Sequence, residues 1–70
     1  MLVVESSYTV EGMTCQHCAA SVSEEISELG GVTEVKVDVA SGTVVVFSDN
    51  TIEHAAVEAA VTEAGYRLAS

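Results

Sequence analysis

The 70-residue sequence predicts an α+β fold: a four-stranded antiparallel sheet with two helices on one face, in the order β-α-β-β-α-β. Three observations carry this reading. Apolar and polar residues alternate strictly from Glu34 to Val39. Apolar positions recur at spacings of three and four from Ala19 to Leu29 and again from Val57 to Ala64. Glycines follow both helical runs. The length fits a single domain over residues 1–70, and a domain this small buries only about 60% of its unfolded surface. Because 49% of the residues are apolar, mostly Val and Ala, with neither Trp nor Pro, small side chains have to supply an efficient core.

Residues 2–10 are rich in Val, Thr and Tyr, with Tyr8 and Val10 on one face of a period-two pattern, and read as a first strand ended by Gly12. From Cys18 onward, Ala19, Val22, Ile26 and Leu29 form the inner stripe of an amphipathic helix, with Glu24, Glu25 and Glu28 outside and Gly30–Gly31 closing it. In the second strand Val35, Val37 and Val39 face inward, while Glu34, Lys36 and Asp38 face water. Ala40-Ser41-Gly42 reads as a turn and residues 43–48 as the third strand, which makes a hairpin. Asn50 is the expected N-cap of the second helix, with Glu53 reaching back to it. Val57, Ala60, Val61 and Ala64 form that helix's inner stripe, joined by Ile52 and Ala56. Gly65 stops it and residues 66–69 supply the closing strand. This order is the ferredoxin-like arrangement, which hosts many unrelated functions and so decides none.

Eleven acidic residues against Lys36 and Arg67 give a formal charge of −9, which repels nucleic acid and anionic membrane surfaces alike. A protein partner with a basic patch is the natural complement, unless the acidity serves solubility alone. The N-terminal MLVVESSYTV has too short an apolar run and no basic flank for a signal peptide or a membrane span, so a cytosolic protein is expected. In that reducing compartment two cysteines stay thiols unless they bind metal or do redox chemistry.

The two cysteines lie in Gly12-Met13-Thr14-Cys15-Gln16-His17-Cys18, with Cys15 in the loop and Cys18 in the first helical turn. Unpaired N–H groups and the positive end of the helix dipole stabilise thiolates there. Thiolates serve soft metals and disulfide exchange alike. A structural Zn²⁺ site wants four protein ligands, whereas this chain offers two Cys, His17 and the remote His54. Cu(I) is selected by thiolates and is satisfied by fewer ligands, leaving a site that another protein's thiols can enter. A thioredoxin-like redox enzyme would want a Trp before the first Cys and a cis-Pro opposite, and the sequence has neither Trp nor Pro. Two cysteines merely packed in the core are the plain alternative.

This motif resembles the GMTCxxC signature of heavy-metal-associated domains, and the resemblance covers essentially the whole chain. It includes Gly31-Val32, the Val-x-Val-Asp run ending at Asp38, and Ala64-Gly65-Tyr66. The family includes small bacterial copper chaperones and the N-terminal domains of copper-exporting P-type ATPases. The resemblance implies a non-enzymatic, cytoplasmic copper chaperone. It would bind Cu(I) through Cys15 and Cys18 and deliver it by ligand exchange to the metal-binding domain of a copper-transporting P-type ATPase. Related members bind Zn(II), Cd(II), Pb(II) or Hg(II), and zinc-type sites often carry Asp where this chain has Thr14, so Thr14 favours copper.

Four residues are accessory candidates: His17, Met13, Thr14 and Tyr66. Met13 has a soft sulfur, but in this family it anchors the loop from inside. Tyr66 would face the loop and hydrogen-bond near the thiolates, or serve only as a sheet-end aromatic. His17 is a third ligand, a modulator of thiol acidity or an exposed bystander, and His54 is a solvated residue on the flank of the second helix. An ATPase N-terminal domain and a Zn(II) or Hg(II) module are the alternatives. The starting Met and the end just after the fourth strand favour a free chaperone, and an exposed site would also let metal bridge two copies into a homodimer.

Overall fold

The chain runs β1 (Val4–Glu11), α1 (Gln16–Ser27), β2 (Val32–Asp38), β3 (Thr43–Ser48), α2 (His54–Glu63) and β4 (Arg67–Leu68), in a computed structural model that describes residues 3–69. All pairings are antiparallel, and the sheet order β2-β3-β1-β4 is that of the ferredoxin-like arrangement. The expected start of the first strand at Leu2 lies outside the described residues.

Alternation decides which face of each strand is buried. In β1, Tyr8 and Val10 are buried while Ser7, Thr9 and Glu11 are exposed. In β3, Val44, Val46 and Ser48 are buried. Against them pack Val22 and Ile26 of α1 and Val57, Ala60 and Val61 of α2, in one apolar cluster. Complete burial of a side chain of this size contributes about 1.5–3 kcal/mol, so a few such residues dominate the stability of so small a core. On the other face of the sheet the Lys36 ammonium lies 5.7 Å from the centre of the Phe47 ring and 3.8 Å from Glu34. No helix of the described residues is long and apolar enough to cross a membrane.

Expected boundaries differ at α1, α2 and β4. Helix α1 ends at Ser27, with Glu28 as its C-cap, short of Gly30–Gly31. Its last turn tightens as the Glu28 N–H reaches Glu25, and Leu29 then turns the chain into β2. The expected Asn50–Glu53 capping box does not form: α2 begins at His54 behind Glu53, with no side-chain cap. A tertiary tie holds Asn50 elsewhere. The Asp49 N–H donates to the Gly31 carbonyl at 2.8 Å, and the Ser48 hydroxyl donates to the Asn50 carbonyl at 2.6 Å. The Asn50 side chain then lies so close to Gly31 that a Cβ there would stand 2.7 Å from its Oδ1, and Gly31 has φ +91°. Strand β4 is also shorter than residues 66–69. The Tyr66 N–H bonds back to the Val61 carbonyl and the Gly65 N–H to Thr62, a Schellman closure that assigns Tyr66 to the helix cap.

The hairpin between β2 and β3 is as expected, with Asp38 opposite Thr43 and the Gly42 N–H donating to the Asp38 carbonyl. Val39 falls just beyond β2 but stays half-buried. The Gly42 carbonyl accepts from the Val10 N–H at 2.8 Å, which ties this turn to the end of β1 where the cysteine loop begins.

Candidate metal centre

Cys15 is the N-cap of α1, in extended conformation, and its carbonyl accepts the first helical bond, from Ala19 at 3.1 Å. Cys18 is the third helical residue. The two sulfurs are 3.4 Å apart, far beyond disulfide length, and both cysteines are free thiols, Cys15 exposed and Cys18 half-buried. No acidic residue occupies the first turn, so the positive end of the helix meets the sulfurs without a competing carboxylate.

Gly12 shapes the approach to the loop. Its φ is +96°, and a Cβ there would come 3.2 Å from Cδ1 of Tyr66. The missing side chain lets the Tyr66 ring lie against the loop. The nearby Tyr66 phenol is the largest influence lowering the Cys18 thiol from the ordinary 9.0 to about 6, followed by the Thr14 backbone and the Cys15 side chain. Cys18 in turn raises the Tyr66 phenol.

Met13 is turned into the core, 7% exposed, and anchors the loop from inside. Thr14 is exposed and acts through its backbone. His17 is exposed on the first turn and is not among the groups that act on Cys18. His54 starts α2 at the end of the sheet where Ser48 pairs with Val4, away from the cysteines, with its ring centroid 6.0 Å from that of Tyr8. Among the described residues no group of three or more His, Cys, Asp or Glu side chains converges on one point.

Sequence reasoning missed Glu11 and Arg67. They are register partners between β1 and β4, and with Gly12, Gly65 and Tyr66 they line an open cleft at the mouth of the loop. Only the strand pairing brings them together; the one local signal is that each flanks a site residue in the chain.

Tyr66→Phe is expected to raise the Cys18 titration, because it deletes the largest influence lowering it. Thiolate absorbance against pH checks this, and an unmoved curve contradicts it. A thiol that ionises more readily in the folded chain than in the unfolded one stabilises the fold above its unfolded value. The metal-free protein should therefore gain stability as the pH rises from about 6 to 9.0 and lose it as the pH falls through about 6. Urea midpoints across that window report the sign.

The family model for the heavy-metal-associated domain matches residues 7–67. Over 62 residues the chain is 45% identical to the zinc/cadmium/lead-transporting P-type ATPase of Shigella sonnei, a match covering 89% of this chain and 8% of that protein. Over 66 residues it is 35% identical to the copper chaperone CopZ of Bacillus subtilis, covering 93% of this chain and 96% of the chaperone. Among solved structures, the N-terminal domain of ZntA in the apo form superposes with a TM-score of 0.86 at 40% identity, over 96% of this chain and 90% of that one. The chain thus spans only about 8% of the length of the transporting ATPase, but nearly all of the chaperone.

Proposed function

Because the chain belongs to the heavy-metal-associated domain family, we propose that it is a cytoplasmic metallochaperone of one such domain, residues 1–70, which carries Cu(I) on Cys15 and Cys18. It delivers the ion to the metal-binding domain of a copper-transporting P-type ATPase. It is a carrier and not an enzyme. The observation that supports this best is the donor set: two sulfurs 3.4 Å apart at a helix N-terminus, with no third His, Cys, Asp or Glu converging among the described residues. Two thiolates suffice for a soft monovalent ion and fall short of the four ligands that Zn²⁺ takes in closed sites.

Delivery follows from exposure. Cys15 lies at the surface, so a thiolate of the acceptor can add to the ion before either resident sulfur leaves, and three-coordinate steps replace the loss of a bare ion. Cys18 is half-buried and holds on longer, which makes Cys15 the first ligand released.

A second reading, a Zn(II) carrier or the N-terminal domain of a zinc-exporting ATPase, draws on the 45% identity to a zinc/cadmium/lead transporter. Against it stands Thr14, which offers no carboxylate beside the thiols.

The charge distribution supports an electropositive acceptor. From Gly12 to Ser23 there is no Asp, Glu, Lys or Arg, while eleven acids occupy the rest of the chain. The segment that carries the two thiols is therefore itself uncharged, and the acids elsewhere steer. Transfer of Cu(I) to an isolated ATPase metal-binding domain should proceed without release to a chelator and slow as salt rises, since screening acts beyond about 8 Å at physiological ionic strength. Stopped-flow rates from low to high salt test this. A flat profile would assign the charge to solubility alone, and copper lost to the chelator during transfer would contradict ligand exchange.

A further inference from the structure

Strand β2 is an edge of the sheet, in the order β2-β3-β1-β4, and an edge strand aims alternate N–H and C=O groups away from its neighbour. The opposite edge, β4, is two residues long, whereas β2 runs for seven, Val32–Asp38, with no proline to block a further ladder. Its inward valines are unfinished as core. Val35 and Val37 are half-buried, while Val46 and Val44, their register partners on β3, are completely buried. Above this edge, Val37 and the α1 residues Gln16, Ala19, Ala20 and Ser23 line a groove of about 220 Å³. None of the five is charged, although the same helix carries Glu24 and Glu25.

The edge is also complementary to itself. When two copies pair antiparallel about Val35, the midpoint of the strand, Val35 stands opposite Val35 and Glu34 of each copy stands opposite Lys36 of the other. Within one chain these two side chains already lie 3.8 Å apart, and both are exposed. Neighbouring registers lose the match. A centre at Lys36 sets Lys36 against itself and Glu34 against Asp38, and a centre at Val37 leaves only residues 36–38 of the strand paired. The register irregularity between Val32 and Glu34 lies outside the three central rows. We propose that β2 pairs with β2 of a second copy, without metal, and joins two four-stranded sheets into one. Helix α1 of each copy then lies beside α1 of the other. Packed helices stand about 8–10 Å apart, roughly two strand spacings, so small uncharged side chains are what this flank of α1 requires. Neither cysteine lines the groove or belongs to β2, so the pairing uses neither thiol.

Two chains of net charge −9 repel, and screening beyond about 8 Å at physiological ionic strength weakens that repulsion more than the contacts between rows. The interface is small, so the dissociation constant is expected on the order of 0.1–1 mM. Nitrogen-15 relaxation of the reduced, metal-free protein should show a rotational correlation time that rises with concentration through that range, with the β2 and Ala20 amides shifting together. Glu34→Lys and Lys36→Glu each set like charges across both rows and should weaken association about tenfold, with circular dichroism unchanged because both side chains are exposed. For Glu34→Lys this loss runs against the net charge, which falls in magnitude and by itself favours association. Mixed in equal amounts, the two variants should pair with each other as tightly as the parent does with itself, since every row again joins opposite charges. A parent that stays monomeric through that range, single variants that associate as the parent does, a mixture no tighter than its components, or shifts confined to the cysteine loop would overturn the proposal. So would β2 shifts that arise only on adding an ATPase metal-binding domain, which would give the edge to the acceptor.

Discussion

Cys15→Ser and Cys18→Ser are each expected to abolish tight Cu(I) binding while leaving the fold in place. A hydroxyl is a hard, weakly acidic donor, and a soft ion left with one thiolate has lost half of its protein ligands. The two variants should differ in structural cost. Cys15 is exposed, and Ser is itself a good N-cap, so that substitution is neutral or mildly stabilising. Cys18 is half-buried and packs against the core, so its replacement costs on the order of 1 kcal/mol. Near- and far-UV circular dichroism should match the parent in both, and competition with a strong Cu(I) chelator should strip both. A single variant that kept copper would contradict the two-thiolate site.

The largest effect on stability is expected at Ile26, which is completely buried where α1 meets the sheet. Ile26→Ala removes three carbon atoms from a close-packed cluster and should cost about 2–5 kcal/mol. The gain in helix propensity, a few tenths of a kcal/mol, is too small to offset this. A small domain has only about 5 kcal/mol in total, near the bottom of the usual range, so the variant should be partly unfolded at 37 °C. Urea denaturation checks the size, and a loss below about 1 kcal/mol would mean that the core closes around the gap.

The parts of this fold legible in the sequence are those set by local pattern. Alternation from Glu34 to Val39 marked a strand with one wet face, and Val22, Ile26, Val57 and Val61 at helical spacing marked the stripes that are buried. The cysteine loop was legible for the same reason, since Gly12 and the two thiols are close in sequence. What was not legible depends on residues that meet only after folding. Asn50 looks like a helix cap until Gly31 and Ser48 claim its surroundings. Tyr66 looks like a strand residue until the closure of α2 takes its N–H. Glu11 and Arg67 form one cleft only because β4 pairs with the end of β1.

The most direct test of the account is a titration of the reduced protein with Cu(I) and, in parallel, with Zn(II), each against a chelator of known affinity. Two sulfurs without a converging third donor predict one Cu(I) per chain, held by sulfur alone, with Zn(II) lost to the chelator at far lower concentrations. Zn(II) held as firmly as Cu(I), with oxygen or nitrogen in its coordination shell, would contradict the two-thiolate copper site.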